Sequence, residues 1–209
     1  MTKAQANEKT TGGQLTRPAV IRAALEVLDD KGLDGLSTRA VAERLDVRMN
    51  TVLWHVKTKA RMLELMADAI LGEISYADLP SAAPQRVREL PRRYRQALLA
   101  HRDGAALVTG TYTAEPHTLR YVDHLVGALL ETGADERQAA WTSWTLTYFV
   151  LGLTQEEQGA PDAGDDRLPR AVEATEYPAL RRVVGHLLRG TFDERFEFGL
   201  DAVLGGLGA

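Results

Sequence analysis

An all-α fold is what these 209 residues predict. Apolar residues recur at three- and four-residue spacing in segment after segment. Ser, Thr or Asp heads most of these segments, and Gly or Pro stands near their ends. No stretch alternates apolar with polar residues as a half-buried strand would. With 44% apolar and 26% charged residues, the chain has the proportions of a globular protein rather than a disordered or membrane one. It is long enough for one large domain or a small one joined to a larger. No apolar run approaches the roughly 18–20 residues of a membrane span, and the polar N-terminus is no signal peptide, so a cytoplasmic location is expected. Cysteine is absent, which excludes disulfides, thiolate catalysis and cysteine-ligated zinc.

Taken in order, residues 1–14 are polar, rich in Gly and Thr and without periodicity, and read as a flexible arm. Thr16 is a good N-cap, Pro18 is tolerated in a first helical turn, and Leu15 can staple against Val20. Ile21, Ala24, Leu25 and Leu28 then form one apolar face, and Gly32 can close this first helix. Ser37 caps a second, short helix that buries Val41, Ala42 and Leu45. A third spans about Met49–Val56. Thr58 caps a fourth, which runs to about Ser75 with Met62, Leu63, Met66, Ala69 and Ile70 inward. The segment YADLPSAAP, 76–84, breaks the pattern, so the chain divides into 15–75 and 76–209. Helices are expected over 85–102, bent at Pro91, then over 105–109, 115–132, 135–158, 171–189 with an interruption at Pro178, and 192–207. The acidic stretch 159–169 reads as a solvated loop.

Charge is divided unevenly. Residues 1–61 carry a net +4 and the remainder −8, within a total of −4. A basic head on an acidic body suits a phosphate backbone at one end only. Within that head, two short helices separated by a tight turn at Asp46 are what a helix-turn-helix needs. The second would enter the major groove, with Arg48 placed to pair with guanine and Asn50 with adenine. Asp46 stands where Gly is usual, and Asp visits positive φ more readily than most residues. Such a helix pair alone serves DNA binding and ordinary packing equally well.

Residues 15–66, with WHVKTK at 54–59 as their densest part, resemble the DNA-binding domain of the TetR family of transcriptional regulators. HRDGA (101–105), Gly110-Thr111, the FVLG and EEQ blocks within 149–158, and FGLDAVLGGL (198–207) are similar to the Tet repressor branch of that family. The resemblance implies an all-α architecture in which a three-helix helix-turn-helix domain is joined by a fourth helix to a larger helical ligand-binding and dimerisation domain. It implies DNA contacts by Thr38, Arg39, Thr51, His55 and Lys59, beside Arg48, Met49 and Asn50, which differ from that branch and imply a different operator. Leu53 departs from the family's usual Tyr. Trp54 reads as a packing residue that seats the recognition helix on the first helix.

The resemblance further implies a homodimer paired through its last two long helices. Its effector pocket would be lined by Leu90, Tyr94, Val108, Thr111, Tyr112, Leu125, Ser143 and Thr147, with Glu156 reaching in from the partner. In the Tet repressor branch the drug arrives as a magnesium chelate held by a His, and that position here is Val108, which cannot ligate magnesium. Ser75 stands where another drug-contacting His would be. The expectation is an apolar, ring-containing effector without metal or other cofactor. His117 and His124 share a helix face seven residues apart, but Asp123 lies off it, so rim or surface histidines are expected rather than a metal site. The function expected is that of a bacterial repressor which binds a double-stranded pseudo-palindromic operator and is released by a small molecule. Alternatives are an activator or protein-interaction module of the same fold, or a helical enzyme, for which no nucleophile–base pairing is present.

Overall fold

The computed structural model describes residues 15–111, 114–160, 167–173 and 176–208. Among them the chain is helical, with no strand. The head consists of α1 (Arg17–Gly35), α2 (Thr38–Arg44) and α3 (Met49–Val56), followed by α4 (Lys59–Gly72). The Thr16, Ser37 and Thr58 hydroxyls accept from the backbone N–H groups of Ala19, Ala40 and Arg61. Each therefore satisfies one of the donors a helix start leaves unpaired. Gly32 sits at φ 71 and kinks α1 instead of ending it. The last turn then continues to Gly35.

Between α2 and α3, Asp46 takes φ 53. A left-handed residue is what reverses the chain tightly enough to set α3 against α2. Asp46→Val is expected to lower stability by about 1–2 kcal/mol, since a β-branched side chain resists this conformation. Asp46→Gly should be neutral or better, and urea unfolding curves of the two variants check the pair.

The body comprises α5 (Ala83–Leu99), α6 (Gly104–Thr109), α7 (Pro116–Glu131), α8 (Glu136–Gln158), α9 (Arg167–Glu173), α10 (Pro178–Arg189) and α11 (Phe192–Leu204), ending in a 3-10 turn over Gly205–Gly208. Helix α5 runs unbroken through Pro91, which is buried within it. The expected 171–189 helix is two helices, the second starting at Pro178, because proline fits a first helical turn and not an interior one. Arg167–Pro169, expected in the acidic loop, already belong to α9. The arm 1–14 and residues 161–166 of that loop lie outside the described residues. No described helix is long and apolar enough to cross a membrane.

One apolar core runs from Val20, Val41 and Val52 in the head to Leu90, Leu125 and Leu146 in the body. Helix α4 joins the two, packing on α1 and α3 of the head and on α5, α6 and α7 of the body. Asp68, buried on α4, accepts from both the backbone N–H and the hydroxyl of Thr118 at 2.8 and 3.0 Å. Arg61 reaches Glu115 at 2.7 Å, and this hydrogen bond holds the Glu115 carboxyl below the ordinary carboxylate range. The first turn of α7 is thus fastened to α4 at two points.

Candidate nucleic-acid interface and effector cavity

Most of the residues expected to contact DNA stand at helix starts of the head. Thr38 and Arg39 open α2, Arg48 is the N-cap of α3, Met49 and Asn50 are its first residues, and Lys59 begins α4. Arg39, Arg48, Met49, Asn50 and Lys59 are exposed, while Thr38 and Thr51 are half-buried beside them. Helix starts with unpaired N–H groups and basic side chains at the rim are suited to phosphates, and the exposed first turn of α3 is suited to base edges. Arg48 makes no side-chain capping bond, so capping does not engage its guanidinium.

The end of α3 differs from expectation. His55 is turned inward and only 9% exposed, so the structure does not bring it to the open face with the others. Its carbonyl accepts from Arg17 Nε at 3.1 Å, and its ring meets Trp54 edge-on. Trp54 is not the packing residue that seats α3. It is 65% exposed, with the Lys57 ammonium 5.6 Å from its ring centre. The reason is helical phase: Val52, His55 and Val56 form the buried stripe of α3, and Trp54 lies two residues from Val52, on the other side of the helix.

Behind the head, α4, α5, α6, α7 and α8 line a partly open cavity of about 420 Å³. Ala67 and Leu71 of α4, Tyr94 of α5, Tyr121 of α7 and Trp144, Tyr148 and Leu151 of α8 are among the residues that line it. Of the expected pocket residues, Tyr94, Val108, Thr111, Ser143 and Thr147 line it. Leu90 and Leu125 do not; both are fully buried in the core, facing helix neighbours instead of the void. Glu156 is exposed on α8, away from this cavity, and Tyr112 lies outside the described residues. Sequence reasoning missed Leu119, Tyr121, Trp144 and Tyr148. The last two stack at 5.4 Å between ring centres, and their four-residue spacing was the available signal.

Val108 is part of the wall, and its side chain cannot ligate a metal. Among the described lining residues there is no carboxylate and no imidazole. A set of neutral hydroxyls without a carboxylate is a poor fit to magnesium, a hard cation usually held by one or two carboxylates together with water. His117 and His124 are held apart in use. His117 packs against Gly72, and His124 stacks on Tyr76 at 4.3 Å.

The corner between α5 and α6 fastens the cavity to the head. His101 is buried, with Nδ1 3.1 Å from Asp29 of α1 and Nε2 3.1 Å from Glu73 at the end of α4. Asp103 accepts from the Leu33 N–H at 2.8 Å. Gly104 lies so close to the Leu98 carbonyl that a Cβ would sit 2.4 Å from it, which reserves this position for glycine.

The family model described as "Bacterial regulatory proteins, tetR family" matches residues 20–66, and that described as "Tetracyclin repressor-like, C-terminal domain" matches 81–209. The class A tetracycline repressor from transposon 1721 of Escherichia coli is 35% identical over 191 residues, spanning 90% of this chain and 88% of that protein. A possible TetR family regulator from Streptomyces coelicolor A3(2) superposes with a TM-score of 0.82 at 35% identity, covering 91% of this chain and 98% of its own. The Streptomyces coelicolor protein ActR, solved in complex with actinorhodin, superposes at 0.83 with 28% identity over 93% of this chain and 97% of its own. A helix-turn-helix head, a helical body with a cavity and matches over both parts make this chain a member of the TetR family, a ligand-responsive transcriptional regulator and not an enzyme.

Proposed function

We propose that the protein is a homodimeric repressor, active in the cytoplasm, that holds a pseudo-palindromic operator and lets it go when a small, uncharged, metal-free effector fills the cavity. Residues 15–75 act as the DNA-binding head and 76–209 as the ligand-binding and dimerisation domain. The observation that carries this reading is the double duty of α4. Its residues Ala67 and Leu71 are cavity wall, while the same helix packs on α1 and α3 of the head. A ligand that displaces that wall therefore swings the recognition helix.

Pairing of two chains is supported by apolar surface left without cover. Phe198 on α11 is 76% exposed, and Trp141, Trp144 and Tyr148 form an open stripe on α8. Helix α10 buries no residue at all, although Leu180, Val183, Leu187 and Leu188 stand along it at helical spacing. Contiguous apolar patches of this kind mark interfaces, and a second copy of the chain supplies matching surface through a two-fold axis. In that dimer Glu156 would be the residue that reaches the partner's cavity. Two recognition helices would then occupy successive major grooves roughly 34–36 Å apart.

The test is titration of the protein against DNA flanking its own gene. Affinity should fall at least about a hundredfold between 50 and 200 mM salt, because basic side chains release counterions from phosphates. Arg48→Ala and Asn50→Ala should each cost about 1–3 kcal/mol against the preferred base pair and little against others. Binding that ignores salt, or variants that weaken every sequence equally, would sink the reading.

A further inference from the structure

Three consecutive residues carry the hydrogen bonds from the α5–α6 corner to the head. His101 faces Asp29 and Glu73, the Arg102 N–H donates to Asp29 at 3.1 Å and its Nη1 to the Asp30 carbonyl at 3.3 Å, and Asp103 accepts from the Leu33 N–H. One side chain of α8 grips the same corner from the body. Gln158 Nε2 donates to the Leu98 and His101 carbonyls at 3.1 and 2.7 Å, and Gln158 Oε1 accepts from the Ala105 N–H at 3.0 Å. Ala105 lies in the first turn of α6, where an N–H has no carbonyl of its own helix to reach. The partners also fix which way the amide points, because only nitrogen toward the two carbonyls and oxygen toward the N–H makes all of these bonds at once. Gln158 thus clasps the end of α5, the start of α6 and His101 between them.

Helix α8 is a firm support for such a clasp. Gln158 is its last residue. The preceding Glu157 receives Arg95 of α5 on both carboxylate oxygens, and Arg95 also reaches Asp193 at the start of α11 at 2.6 Å and lies over the Phe196 ring. On its outer side the same helix carries the open stripe of Trp141, Trp144 and Tyr148. One helix therefore bears both the apolar surface offered to a partner chain and the clasp on the corner that holds the head. The head has a second attachment, through Asp68 to Thr118 and Arg61 to Glu115, which fastens α4 to α7. A single attachment leaves a pivot, whereas two fix an orientation. Loosening the corner lets each head turn about the α4–α7 contact, and in a dimer both turns enter the distance between the recognition helices.

We infer that Gln158 is a positioning residue for operator binding, which registers the α5–α6 corner against α8 and so sets the spacing of the two DNA heads. The inference rests on the homodimeric reading above.

The distance between the heads tests it directly. Cysteine is absent from the chain, so Glu43→Cys, at an exposed position of α2, puts one spin label on each head of the intact protein, and pulsed electron paramagnetic resonance reads the distance across the dimer. With Gln158 in place the distribution should be narrow. Gln158→Met, which loses all the bonds of the amide, should broaden it at least about twofold. Gln158→Glu keeps an acceptor for Ala105 but has no donor for the two carbonyls, should broaden it as well, and decides if the Met variant does not fold. On DNA, moving the half-sites apart by one base pair should cost the protein with Gln158 at least about thirtyfold in affinity and the variants less than about fivefold. Affinity for a half-operator should be the same in all of them, since the clasp is remote from Arg48–Thr51. Distributions that stay narrow in both variants while the melting midpoint falls make Gln158 a structural residue only and overturn the inference alone. If the protein with Gln158 shows no distance between heads, the homodimeric reading fails and the inference falls with it.

Discussion

Phe198→Glu should yield a folded monomer that no longer holds operator DNA. The side chain is 76% exposed in the single chain, so its replacement removes almost no packing within the protomer, and stability of the fold should change by no more than about 0.5 kcal/mol. In a two-fold dimer the same residue appears from both sides. The substitution therefore introduces two like charges into an apolar contact, each desolvated without a partner, at a cost of several kcal/mol. A monomer keeps one recognition helix and loses the tethering that presents the second half-site at high effective concentration, so operator affinity should fall by more than about a hundredfold. Light scattering gives the mass, and titration with full and half operators gives the affinity. An unchanged dimer places the interface elsewhere; a monomer that still prefers the full operator removes the need for pairing.

How much of this was legible in the sequence depends on whether a feature is local. The bounds of α3 were readable because the chain reverses at Asp46 before it and Thr58 caps α4 just after it, and both are properties of single residues and their immediate neighbours. The split at Pro178 was signalled by proline chemistry, though the sequence placed the start of α9 too late. Trp54 shows where size misleads. An indole suggests core, yet the phase set by Val52 and Val56 leaves it outside, and that phase was itself available. The cavity is a different matter. Leu90, Leu125 and Tyr121 are all buried and all at helical spacing, but only Tyr121 borders empty space. Which turn of α7 faces a void depends on how far α8 stands from α4, and no local pattern encodes that distance. The partner of the Thr118 hydroxyl was hidden for the same reason, since its acceptor Asp68 lies 50 residues away.

Asp29→Ala should separate DNA binding from its control. Asp29 receives the Arg102 N–H at 3.1 Å and faces His101 Nδ1 at 3.1 Å, and so fixes α1 to the corner from which α6 leads into the cavity wall. Removing it leaves a buried imidazole and a backbone donor short of an acceptor, which should lower stability by about 1–3 kcal/mol. The proposed reading face at Arg48–Thr51 lies at the start of α3 and is untouched, so operator affinity without effector should stay within about tenfold of the native value. The coupling should not survive. An effector acts on DNA affinity only through contacts that differ between the two arrangements of the head, and the ratio of operator affinities without and with effector measures that difference. Asp103→Ala, which removes the acceptor for the Leu33 N–H, should add to the effect because the two ties fasten the same corner. For the double variant the ratio should approach one with any compound that releases the native protein. If the ratio is unchanged while stability has dropped, the corner is a structural joint only, and the signal must pass from the cavity to the head through Asp68, Thr118 and the rest of α4.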